Sequence, residues 1–338
     1  MRRLLGLLLS CLMLCGCTAQ PEQKQYTATF LTLFDTVTTI VGKADSEEAF
    51  REKAQAVHDE LLHYHQLFDI YNDYEGIANL KTINDNAGKA PVTVEPAIID
   101  LLIDCKRYYA LTDGRVNVAM GSVLSLWHDA RDAGIQDPAN ARLPEQSALE
   151  EAARHMDPDD IVLDLQASTV YLTDPQMRLD VGAVAKGWAV QRLSQTAPKD
   201  LLISVGGNVC ATGPKDSQGT AWVVGVQNPD SSEDYLHNLY LTSGSVVTSG
   251  DYQRTYQVEG KRYHHIIDPD TLYPGGYWRA VTIVCPDSGL ADALSTALFL
   301  LPQSEGQSLL NKTGAQALWV DGQGQCLYSP GFQDMIRT

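Results

Sequence analysis

Positive charge is scarce in this sequence. Its 338 residues carry 25 Lys+Arg against 42 Asp+Glu, a formal net charge of −17. Nucleic-acid binders draw their affinity from Lys and Arg that neutralise phosphates, so the balance argues against that class. It also repels a free anionic ligand, unless a metal or a cluster of backbone N–H groups reverses the local field. Cysteines at metal or redox spacing are missing: there are seven, but no C-x-x-C pair. No apolar run reaches the roughly 20 residues that span a bilayer, and there is no internal repeat or low-complexity tract. With 44% hydrophobic and 20% charged residues, the chain is neither disordered nor collagen-like. At roughly 100–200 residues per domain, its length predicts one large or two ordinary domains.

What is present starts with an export signal. Arg2 and Arg3 precede a short apolar core over 4–13, and Leu14-Cys15-Gly16-Cys17 follows. This run resembles a bacterial lipobox, with Cys17 as the lipid-modified residue. The reading makes residues 1–16 a lipoprotein signal peptide and 17–25 a polar tether. The folded part is 26–338, held by lipid at a membrane outside the cytosol. Removing residues 1–16 takes away two arginines and no acid, which moves the net charge to about −19. Of the remaining cysteines, Cys210 and Cys285 lie in apolar strand-like runs, where a buried, inert thiol is the default. Cys105 and Cys326 show no pattern that assigns a disulfide.

Periodicity gives a coarse map. Residues 26–42 are rich in Thr, Val and aromatics and read as one or two strands. Phe50, Ala54, Val57, Leu61, Tyr64 and Phe68 recur at helical spacing, with Asp45 and Glu48 as a capping box. A second helix is predicted over 96–111, with Pro96 in its first turn. Residues 128–160 read as a charged loop, 161–181 as a hairpin and 183–193 as a helix. Strands follow at 201–205, 220–227, 239–248, 254–258, 262–267 and 279–285. A helix at 289–301 and a hairpin around Asp321-Gly322 finish the chain. Helices and strands mix without a βαβ rhythm, which favours an α+β fold.

Four segments carry candidate chemistry. In 179–187 a strand ends at Asp180, a Gly turn follows and a helix begins near Lys186; free N–H groups at a helix start attract anions. Val205-Gly206-Gly207-Asn208 allows positive φ and close approach to a ligand. Thr248-Ser249-Gly250-Asp251-Tyr252 precedes His264-His265-Ile266-Ile267-Asp268-Pro269. A strand there puts the two histidines on opposite faces, so that one meets a cleft. On a helix over 289–301, Asp292, Ser295 and Thr296 share a face, and their oxygens are hard ligands of the kind Mg²⁺ or Ca²⁺ accepts. Each segment alone also fits a structural role: a tight turn, a hairpin, a satisfied histidine, or a helix-dipole charge with packed hydroxyls.

Together, in order and spacing, the four resemble the FAD:protein FMN transferase (ApbE) family. The chain has LDVGAVAKG from Leu179, SVGGN from Ser204, TSGDY from Thr248, HHIIDPDTLYP from His264 and ADALSTAL from Ala291. Phe34-Asp35-Thr36 and the 113–118 run DGRVNV also fit the family pattern. The resemblance implies an α+β fold of mixed, largely antiparallel sheets with packed helices, and a flavin cleft between two lobes. It implies Mg²⁺-dependent transfer of FMN from FAD to a Ser or Thr hydroxyl of an exported or membrane flavoprotein, with release of AMP. By the same resemblance, Asp292 and Thr296, with Ser295 in some members and the Ala183 backbone oxygen, hold the metal. Phe34, Tyr71, Arg115, Val116, Asn117, Asp180, Lys186 and Ile267 touch FAD, and His265 moves the proton.

The chain departs from the pattern at three points. Ala183 replaces a Gly, Asn117 stands where many members have Asp, and Leu272 replaces the Gly of the x-T-G-x-P turn. Two other activities use the same residues: a pyrophosphatase that splits FAD into FMN and AMP, and a flavin-binding lipoprotein without turnover.

Overall fold

The computed structural model describes residues 23–337. The proposed leader, Cys17 and most of the tether lie outside the described residues. Among those described, eight strands form one sheet: β1 (Lys24–Phe30), β2 (Thr38–Ala44), β3 (Leu201–Val205), β4 (Asn208–Ala211), β5 (Gly244–Gly250), β6 (Ala280–Cys285), β7 (Gln316–Val320) and β8 (Cys326–Tyr328). Each pairs antiparallel with the next in chain order. The sheet is therefore a meander, and the rest of the chain is inserted into its connections. The first strand starts at Lys24, so the last two residues of the tether region are already strand.

The largest insertion joins β2 to β3. It carries α1 (Glu47–Phe68), α2 (Leu80–Asp85), α3 (Pro96–Leu111), α4 (Gly121–Gln136), α5 (Gln146–Ala152) and α6 (Ala185–Thr196). Between β6 and β7 lie α7 (Ser288–Phe299) and α8 (Gln303–Thr313). Small antiparallel pairings complete the α+β fold: a three-stranded sheet around 161–172, a ribbon of Trp222–Asn228 with Ser231–Leu241, and a hairpin of Tyr256–Val258 with Lys261–Tyr263. Among the described residues, no helix is long and apolar enough to cross a membrane.

Burial follows from pattern. In α1, Phe50, Ala54, Val57, Leu61 and Phe68 face the core, as their spacing predicts. Its cap is Ser46, whose hydroxyl accepts from the Ala49 N–H, rather than Asp45. Both faces of β6 are covered. Val281 and Ile283 pack into the helical core, while Ala280 joins Trp222 and Val224 of the ribbon in a second cluster. The central helix α7 touches the sheet, α6 and α8, and nearly all of its residues are buried.

Several expectations need correction. Residues 128–160 are not a loop: α4 runs to Gln136 and α5 covers 146–152. Their surface charges masked the apolar face that buries Val123, Trp127 and Leu149. The strand placed at 239–248 is two strands of different sheets, broken at Gly244 with φ +89. The hairpin at 161–181 closes by Leu172. The helix α8 was not foreseen. The strand proposed at 262–267 ends at Tyr263, before the histidines. Cys105, Cys210 and Cys285 are buried free thiols, pushed up in pKa by burial, and Cys326 is free and half-buried.

Candidate active site

A cleft of about 410 Å³ opens where the β3–β4 turn, the end of β5, the start of α6 and one face of α7 converge. It gathers Phe34, Tyr71, Arg115, Val116, Asn117, Asp180, Ala183, Lys186, His265, Ile267, Asp292 and Thr296, residues spread over 263 positions of sequence. Ser295 is the exception. It is fully buried, and its hydroxyl bonds the Ser249 hydroxyl at 2.8 Å and the Asp292 carbonyl at 2.8 Å. Sharing a helical face with Thr296 was not enough, because the i+3 position turns behind the cleft wall.

The floor is built on a close helix crossing. Gly187 of α6 lies so near α7 that a Cβ there would sit 2.4 Å from the Ser288 carbonyl oxygen and 2.5 Å from the Asp292 Cβ. That approach lets the Gly187 N–H donate to Asp292 Oδ2 at 2.8 Å. Asp292 is only 4% exposed, and burial pushes its pKa up. The Lys186 ammonium, 3.7 Å away, the Gly187 N–H and the Asn208 amide work against that push. A carboxylate removed from water beside a single cation leaves room for further positive charge. The Asn208 amide is held beside it by the Ser288 hydroxyl, which donates to Asn208 Oδ1 at 2.8 Å. Thr296, half-buried, and Ala183 border the same space. Carboxylate, hydroxyl and backbone carbonyl are the hard oxygen donors that suit Mg²⁺, so these residues fit such an ion.

His265 and His264 divide as adjacent residues of an extended segment do. His264 turns inward, its Nε2 donating to the Gly275 carbonyl at 2.9 Å and its Nδ1 accepting from the Ile266 N–H at 3.2 Å. Its ring stands edge-on to Phe299. His265 lines the cleft, and its Nδ1 lies 3.3 Å from the Gln253 carbonyl oxygen. A carbonyl only accepts, so Nδ1 carries the proton and Nε2 keeps its lone pair. Burial, then the Arg254 guanidinium, push the imidazole pKa down to about 3. The free side chain is therefore neutral at neutral pH, with the Nε2 lone pair unprotonated.

Other predicted contacts are already engaged. The Asn117 amide donates to the Met156 carbonyl and accepts from the Ala119 N–H, so its side chain holds the loop. Arg115 is bound by Asp268 at 3.0 Å and Asp270 at 2.7 Å. The Gly182 N–H is not free for an anion, because it donates to Asp180 Oδ1 at 2.8 Å. The Val184 and Ala185 amides donate to the Val181 carbonyl. Three of the N–H groups expected to face an anion there are thus engaged within the turn. Leu272, where the family pattern has Gly, keeps the left-handed backbone with φ +62. It is buried, and its carbonyl accepts from Trp127 Nε1 at 3.0 Å.

Sequence reasoning missed several cleft residues, among them His65, His128 and Arg254, and gave Asn208 only as part of a turn. His65 Nδ1 accepts from the N–H of Phe34, which is itself left-handed with φ +52. His128 sits on α4, inside the stretch read as a loop. Asn208 follows the Gly206-Gly207 turn, whose positive φ values at both positions suit a two-residue hairpin. Arg254 lies two residues beyond TSGDY and carried no signal of its own.

Comparison with known proteins gives the family. The sequence profile of the ApbE family matches residues 34–319. A FAD:protein FMN transferase of Treponema pallidum is 34% identical over 278 residues, covering 77% of this chain and 75% of its own. One from Escherichia coli K12 is 25% identical and covers 98% of this chain and 96% of its own. Among solved structures, the ApbE protein of Thermotoga maritima superposes with a TM-score of 0.81 at 29% identity, over 93% of this chain and all of that one. The apo flavinyl transferase ApbE of Pseudomonas stutzeri, 21% identical with a TM-score of 0.72, shares the fold over 93% of this chain and 96% of its own. The chain belongs to the ApbE family.

Proposed function

We propose that this protein is a FAD:protein FMN transferase that moves FMN from FAD to a Ser or Thr hydroxyl of an acceptor flavoprotein and releases AMP. The observation that carries the reading is one cleft lined both by the buried Asp292 and by His265, whose Nδ1 faces the Gln253 carbonyl and leaves Nε2 free. The carboxylate suits a divalent cation, and the imidazole suits an incoming hydroxyl.

The chemistry balances simply. The acceptor Oγ forms a bond to the FMN phosphorus, and the bond from that phosphorus to the AMP phosphate oxygen breaks. The hydroxyl proton passes to His265 Nε2, and AMP leaves with the electron pair. A Mg²⁺ ion held by Asp292, Thr296 and the Ala183 carbonyl would neutralise the diphosphate and the charge on leaving AMP. Lys186 adds a fixed positive charge beside Asp292. Phe34 and Tyr71 offer rings to the flavin or adenine, and Ile267 and Val116 supply apolar wall. Ser295 braces the wall through Ser249 and is not in the ligand set.

We read residues 1–16 as a lipoprotein signal peptide whose removal leaves the lipid-modified Cys17 to anchor the mature enzyme outside the cytosol, where its acceptor would lie. The test of function is incubation with FAD, Mg²⁺ and an acceptor domain, followed by mass spectrometry of the acceptor. Covalent FMN on a Ser or Thr is the expected outcome. Free FMN and AMP without an adduct would make the protein a pyrophosphatase. Bound FAD without AMP would make it a flavin carrier.

A further inference from the structure

One titratable group in the cleft has no part in the chemistry above. His128 projects from α4 into the cleft wall, far in sequence from the catalytic motifs. Its Nδ1 lies 2.8 Å from the Tyr71 hydroxyl, and its Nε2 lies 3.9 Å from Asp180 Oδ2. Tyr71 is otherwise poorly supported: it is 58% exposed, on a segment without regular structure between α1 and α2. The segment is fixed through Asp69, whose Oδ1 accepts from the Tyr71 and Asn72 N–H groups and whose Oδ2 accepts from the Asn72 amide and the Tyr74 hydroxyl. Nothing among these holds the ring itself. The ring ends 6.3 Å from the His128 ring, tilted by 48°.

Protonation states support one arrangement. The Tyr71 phenol keeps its proton at neutral pH, as an ordinary phenol does. Burial pushes the His128 imidazole down, against the pull of Asp180, so it is neutral at neutral pH. With the Asp180 carboxylate on the Nε2 side, the arrangement that suits both ring nitrogens has the proton on Nε2 and the phenol donating to Nδ1. A chain from carboxylate through imidazole to phenol thus runs along the cleft wall.

We propose that His128 is a positioning residue that clamps the Tyr71 hydroxyl and so holds the aromatic ring ready to stack on a ring of the flavin dinucleotide. The inference rests on the reading of the cleft as a FAD site. The geometry supports it because an exposed tyrosine loses rotamer freedom when it stacks, and a hydrogen bond made beforehand removes that cost from binding. Asp180 orients His128, and its other oxygen holds the Gly182 turn, so the clamp is joined to the start of α6.

The test is FAD affinity, read by flavin fluorescence, in His128→Phe, Tyr71→Phe and the double variant. Each single change should weaken binding about tenfold, and the double variant should lose no more than either single one. His128→Asn, whose amide oxygen can still accept from the phenol, should recover most of the affinity. Without ligand, a long-range ¹H–¹⁵N spectrum should show His128 as the Nε2–H tautomer, shifted in Tyr71→Phe. Unchanged affinity in His128→Phe, losses that multiply in the double variant, or an Nδ1–H tautomer would each overturn the clamp. Those results leave the transferase reading standing if the wild type still labels its acceptor. A wild type that binds no FAD removes both, even with the tautomer as described.

Discussion

Two side chains decide the chemistry at the residue scale. Asp292 is the acid that burial makes expensive to ionise and that a cation would compensate. Asp292→Asn keeps shape and removes the charge, so AMP release in Mg²⁺ should fall by roughly 100-fold or more while thermal unfolding stays near wild type. His265→Ala should cost roughly 10²–10⁴-fold, the usual worth of a positioned base. The low pKa of His265, pushed down to about 3, also has a signed consequence for stability. An unfolded histidine takes a proton near pH 6.5, while the folded one resists until about pH 3. Its contribution is therefore present above pH 6.5 and lost as pH falls from there towards 3. Urea unfolding at pH 7 and pH 4.5 should show a smaller acid-induced loss in His265→Gln than in the wild type. Leu272 shows how a departure from a family pattern is absorbed: it keeps a left-handed backbone that Gly adopts freely, and its side chain packs with Trp127.

At the scale of elements, the α6–α7 crossing matters most. Gly187→Val would push a side chain against the Ser288 carbonyl and move the N–H that holds Asp292. We expect about 1–3 kcal/mol of lost stability together with weakened Mg²⁺ binding, measured by thermal unfolding and metal titration. Ser46→Ala is the contrasting case. It removes the α1 cap, far from the cleft, and should cost about 1 kcal/mol with activity intact. These elements were legible to different degrees. The apolar spacing of α1 and the Pro96 start of α3 reproduce the observed helices closely, because one face of each is buried. By contrast, α4 hid behind its charged face and took His128 with it. The motif residues of the cleft could be read because they recur as linear strings. The engaged states of Asn117, Ser295 and the Gly182 amide could not, since each depends on a partner distant in sequence or on a turn's exact closure.

At the scale of the whole molecule, the acidity that opened the sequence analysis sets the conditions for the substrate. A chain of net charge −17 repels a dinucleotide that carries its own negative charges. Salt screens that repulsion over about 8–10 Å at physiological strength. Raising ionic strength should therefore lower the KM for FAD while leaving kcat nearly unchanged, and steady-state kinetics at several salt concentrations would check this. The fold answers the same problem locally. The meander's insertions bring the β3–β4 turn, α6, α7 and the His265 segment to one opening, and the residues proposed to hold a cation line it. The central claim is that this opening transfers FMN rather than merely cleaving or holding FAD. Its most direct test is to count AMP and acceptor adduct in one reaction with FAD and Mg²⁺. The account predicts one covalent FMN on the acceptor for each AMP released, and neither product with EDTA or in Asp292→Asn. AMP that accumulates while the acceptor stays unmodified would contradict it.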